Sequence, residues 1–163
     1  MIKVLNILFV TSFIVFIDGD ILNRITTDNL KQTIQQPLTV NWEDLIDINY
    51  EVKYFKEYEM DISTPVFGSS QKALDGKEIL ITGFVIPFDE NTEYLSLSAN
   101  PYASCFFCGN ASPASVISMY MKNPGKRYMI DDFKTFKGTL HLNYDNPDEF
   151  IYILEDAEEV KDK

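Results

Sequence analysis

The chain has 163 residues, 45% of them hydrophobic with 12 Phe and 9 Tyr, and it carries 25 acidic against 14 basic side chains for a formal charge of −11. This is the length of one domain plus a short extra segment, with enough apolar surface for a core of its own, which excludes wholesale disorder. The charge repels phosphate backbones and anionic bilayers, so nucleic acid is excluded as a partner class.

The first segment stands apart. Met1–Lys3 give a weakly positive start, and Val4–Ile17 form an apolar run interrupted only by Asn6, Thr11 and Ser12 before Asp18-Gly19-Asp20. A membrane-crossing helix needs roughly 20 apolar residues, and this run is shorter. Residues 1–19 therefore read as a secretory signal peptide, or else as an uncleaved N-terminal anchor facing outward; no small-x-small triplet marks a cleavage site. The expected location is periplasmic or secreted, with membrane attachment only through residues 1–19. Without them the balance is 13 basic against 24 acidic residues, still −11.

Residues 20–40 are polar and Gln-rich as far as Pro37 and read as a flexible arm. Asn41 is placed to cap a short helix with Trp42, Leu45 and Ile46 on one face. Trp42 is expected to anchor the core, the alternative being a ligand-stacking ring. Tyr50–Tyr54 alternates apolar and charged residues as a strand does. Pro65–Lys72 breaks regularity, and Asp75-Gly76 signals a turn.

Glu78–Phe88 is a long strand-forming run with Gly83 at its middle, where a bulge or bend is expected. Glu93–Ser98 alternates as a second strand, and Tyr102–Phe107 is a third candidate. Ser112 followed by Pro113 marks a helix start, with Val116, Ile117, Tyr120 and Met121 at helical spacing and Asn123-Pro124-Gly125 as its end. Two strands follow, Phe136–Tyr144 and Phe150–Leu154, with Asp145-Asn146-Pro147 turning between them. Three strands, a helix and two strands are the order of a five-stranded OB barrel, so the fold class is mainly β, an OB-like barrel with one helix; a small α+β sandwich is the competing arrangement. The domain is placed at 41–157 and an acidic tail at 158–163.

One segment carries chemical interest, Cys105-Phe106-Phe107-Cys108-Gly109. Two residues between cysteines suit a local disulfide, a two-thiolate bite on a metal, or thiol redox chemistry. Gly109 stands where a c-type haem needs its His, and two thiolates are too few for an iron–sulfur cluster. Zinc or another divalent metal needs two further ligands, of which His141, the single histidine, is a weak candidate beside one carboxylate. Cys108 lies four residues before Ser112, too far from a helix start for much dipole activation. A disulfide across so short a loop stabilises by about 1–2 kcal/mol. There is no Gly-rich phosphate loop for a nucleotide, no nucleophile elbow and no HExxH, so no catalytic constellation can be assembled.

Leu74–Lys77, Ile81-Thr-Gly-Phe-Val-Ile-Pro87, Cys105–Gly109 with Pro113, and Gly138–Asn143, with Trp42 and Leu45 upstream, together resemble a bacterial family of exported domains of unknown function. The resemblance spans about residues 41–157. It implies an OB-like domain in the periplasm or on the outer face of the membrane, beside transport systems that include metal-related ones. It brings no established catalytic residue. Asn110-Ala111-Ser112 departs from the small, Gly-rich residues usual there. The sequence therefore reads as a non-enzymatic exported binding or accessory module with an envelope transporter or another protein as partner; the alternative is a metal-handling or thiol-redox protein acting through Cys105 and Cys108.

Overall fold

The computed structural model describes residues 36–88, 93–105 and 111–161. In chain order the elements are β1 (Leu38–Thr39), α1 (Glu43–Ile46), β2 (Asn49–Phe55), β3 (Met60–Val66), α2 (Ser69–Leu74), β4 (Lys77–Pro87), β5 (Tyr94–Ser98), β6 (Val116–Met121), β7 (Phe133–Leu142) and β8 (Tyr152–Val160).

Five strands close into a barrel. β4 is long enough to serve two neighbours: Lys77–Phe84 pair antiparallel with β7, and Phe84–Pro87 pair antiparallel with β5. β5 pairs antiparallel with β6, β6 parallel with β8, and β8 antiparallel with β7. Numbered within the barrel, the order is 1-2-3-5-4 and back to 1, with strands three and five parallel. That is the OB-like arrangement expected from the element order.

Alternation explains the interior. Ile79, Ile81 and Val85 of β4, Leu95 and Leu97 of β5, and Ile117 and Met119 of β6 face inward. Phe136, Leu140 and Leu142 of β7 and Tyr152, Leu154 and Ala157 of β8 belong to the same cluster. Full burial of each large aliphatic chain contributes about 1.5–3 kcal/mol before ordering costs. The segment before the barrel packs onto it. Leu45 of α1 is fully buried, the Tyr152 hydroxyl donates to its carbonyl (2.8 Å), and Trp42 Nε1 donates to the Thr82 carbonyl (2.8 Å). Trp42 is thus a core anchor. Gln71 of α2 donates through Nε2 to the Asp44 carbonyl (2.9 Å), joining the two short helices.

Several expectations are corrected. The helix expected from Ser112 onward is a three-residue 3-10 turn, Pro113–Ser115, that runs directly into β6. Ser112 does cap it, accepting from the Ala114 N–H (3.2 Å), so the start signal was real and the continuation was not. Val116-Ile-Ser-Met-Tyr-Met121 fits both periods. The structure selects period two, with Ile117 and Met119 in the core, because β6 must pair on both edges. The third strand is therefore β6, and the segment placed there by sequence is a 3-10 turn at Tyr102–Ser104 leading to Cys105. Phe106 and Phe107 lie outside the described residues.

Gly83 is needed for a different reason from a bulge. The β4–β7 ladder runs through it unbroken, opposite Lys134, but a Cβ there would lie 2.6 Å from the Ser98 carbonyl and 2.9 Å from Leu97 Cγ. Close approach of β5 is what requires glycine. The irregularities fall instead between Met119 and Met121 and between Lys137 and Thr139. The chain end is also more ordered than an acidic tail: Glu158 and Glu159 belong to β8, opposite Lys137 and Phe136. Leu38 and Thr39, assigned to the arm, pair parallel with Ile79 and Leu80.

Candidate functional site

Cys105 is fully buried as a free thiol, its Sγ donating to the Tyr102 carbonyl (3.0 Å). The turn that carries it is held by Asp131, whose Oδ1 accepts from the Tyr102 N–H (2.7 Å). Cys108 lies outside the described residues. His141 stands elsewhere, on β7 between Asp75 (Nδ1–Oδ1 3.9 Å) and Glu155 (Nε2–Oε2 3.4 Å), facing away from Leu140 and Leu142. Asp131 precedes β7 and His141 sits near that strand's far end. His141 is eight positions along the strand from Phe133, roughly 26 Å of extended chain. The structure does not bring His141 to Cys105. Among the described residues no three His, Cys, Asp or Glu side chains gather as a metal-binding group.

The feature that sequence reading missed is a cleft of about 450 Å³ beside the barrel. One wall is the hairpin β2–β3. Glu51, Lys53 and Phe55 share a face with Thr64, Ile62 and Met60, their cross-strand partners. Phe55 and residues 62–65 line the cleft, while Val52, 71% exposed, takes no part in it. The second wall is the β7–β8 loop from Asn143 to Ile151. Asn143 holds that loop: Nδ2 donates to the carbonyls of Asn146 (2.6 Å) and Phe150 (3.2 Å), and Oδ1 accepts from the Asn146 N–H (2.9 Å). At the hairpin tip the Tyr58 hydroxyl donates to Asp148 Oδ2 (2.9 Å), tying the two walls together. Phe88 and Tyr94, whose rings stack 5.4 Å apart at 16°, line the cleft where β4 gives way to β5.

Beside these rings lies a polar chain. The Ser118 hydroxyl donates to Glu149 Oε2 (2.8 Å) and so accepts from the Tyr94 hydroxyl (3.2 Å); Tyr120 donates to the other oxygen of Glu149. The Tyr120 phenol is pushed up to about 12, first by its hydrogen bond to Glu149 and then by burial. Tyr58 is raised chiefly by donating to Asp148, and Tyr94 chiefly by burial, against the opposing effect of Ser118. Ser96, directly across from Ser118 and fully buried, finds no hydrogen-bond partner for its hydroxyl among the described residues.

The class defined by these features is an OB-like β-barrel with a lateral aromatic cleft rimmed by carboxylates. By structure, the chain is similar to a DUF3299 family protein from Pseudomonas aeruginosa PAO1, solved by crystallography, with a TM-score of 0.51 and 12% identity over 78% of this chain and 99% of that one. At that identity the likeness is one of fold, and its family description is a domain of unknown function. No family model matches the sequence, and no curated protein matches it.

Proposed function

We propose that this chain is an exported, non-enzymatic binding module whose ligand occupies the cleft between the β2–β3 hairpin and the β7–β8 loop. The observation that carries the reading is the cleft: a 450 Å³ hollow with apolar walls at Phe55, Ile62, Phe88 and Tyr94, and polar groups converging from one side. Pockets of this size and mixed lining are the usual form of small-molecule sites. Export rests on the sequence of residues 1–19. Service to an envelope transporter rests on the family resemblance.

The test is titration of the mature protein with Nile red, a neutral apolar fluorophore. Saturable binding should weaken at least about fivefold in Ile62→Asp, which places a charge on the cleft wall, and be unchanged in Val52→Asp, outside the cleft on the same hairpin. Equal effects of the two substitutions would remove the cleft from the account.

A further inference from the structure

We propose that the cleft is selective for organic cations, an ammonium or guanidinium group on a short apolar stem; this rests on the cleft being the working site. Asp145, Asp148 and Glu149 line it, and among the described residues no Lys, Arg or His side chain does. Asp145 and Asp148 are exposed, and two of the three acids are held in place. Glu149 is half-buried, and both its oxygens accept from hydroxyls that keep it in place; Asp148 is oriented by Tyr58. Neutral donors position the carboxylates without cancelling their charge.

The apolar walls add what an acidic loop alone lacks. The stacked Phe88 and Tyr94 rings line the same hollow as the loop carboxylates, so an ammonium lodged there meets aromatic surface and carboxylates together. An anionic ligand would enter against three carboxylates on a chain of net charge −11, and a neutral one would gain nothing from their field. A hydrated metal ion would gain nothing from the Phe55, Ile62 and Phe88 walls. The cation that uses both halves of the cleft is an organic one.

The experiment is calorimetric titration of the mature protein with choline and with 3,3-dimethylbutan-1-ol, its neutral isostere, at low and high salt. A Gly-Lys-Gly peptide blocked at both ends represents a cationic side chain rather than a free amine, and whichever of it and choline binds identifies the source. Choline or the peptide should bind about tenfold more tightly than the neutral alcohol, with the advantage shrinking at high salt. The double variant Asp145→Asn/Asp148→Asn, confined to the exposed loop, should lose most of that preference. Glu149→Gln should lose it too, provided its melting curve stays cooperative. Equal binding of choline and alcohol, or Nile red binding with neither cation bound, would overturn cation selectivity while leaving the cleft as the working site. Absence of Nile red binding as well would overturn both.

Discussion

Glu149→Ala tests the polar chain that holds the cleft wall. The substitution deprives the Ser118 hydroxyl, on a residue with no exposed surface, of its 2.8 Å acceptor, and deprives Tyr120 of its own. Tyr120 is 39% exposed and recovers a partner from water, so its share of the loss is small. Ser118 keeps only the Tyr94 hydroxyl, 3.2 Å away, in place of a charged acceptor, and losing a buried bond to a carboxylate costs about 1–3 kcal/mol. We therefore expect a loss of about 2 kcal/mol, lowering Tm by roughly 5 °C for a domain of this size. The assay is denaturant unfolding of wild type, Glu149→Ala, Ser118→Ala and the double variant. The cycle should return a coupling of about 1–2 kcal/mol, since the double variant removes both ends of the Ser118–Glu149 bond. A Glu149→Ala protein within about 0.5 kcal/mol of wild type would refute the reasoning, because that is the scatter of ordinary surface changes.

Gly83→Ala drives a methyl against the Ser98 carbonyl and should cost about 3 kcal/mol or prevent folding, whereas Gly76→Ala, at a positive-φ turn with open space around it, should cost about 1 kcal/mol, both read by thermal melting. Tyr152→Phe removes the donor to the Leu45 carbonyl inside the core and should lose about 1–2 kcal/mol by denaturant titration. Tyr120 is raised in the fold, so its contribution is complete below pH 10 and is lost as pH rises toward 12, when the unfolded chain ionises first. In Glu149→Ala its ionisation, followed by ultraviolet difference absorbance, should return toward 10.

The barrel was legible because β4 and β7 carry long, regular alternation: Ile79, Ile81 and Val85 inward on one, Phe136, Leu140 and Leu142 on the other. β6 was not, because both its faces are covered where it begins. Val116 and Ser118 on its outer side are as buried as Ile117 and Met119 on its inner side, so no exposed polar residue marks the period until Tyr120. β3 escaped for the opposite reason. Met60-Asp-Ile-Ser-Thr-Pro-Val66 contains Asp, Ser and Pro, poor strand formers, and is held as a strand by pairing with β2. The cleft could not be read from sequence because its walls come from distant stretches of chain, joined by the contact of Tyr58 with Asp148, 90 residues apart. The one local sign was the turn Asp145-Asn-Pro-Asp-Glu149, which reads as solvated acid until the hairpin is placed beside it.

Amide chemical-shift mapping of the protein during choline addition tests the central claim most directly. Saturating shifts should concentrate at Ile62–Thr64, Phe88, Tyr94 and Asn143–Ile151, with Trp42 and Lys126 unmoved. Shifts centred on the Cys105 turn or on His141, with the hairpin and the β7–β8 loop silent, would contradict it.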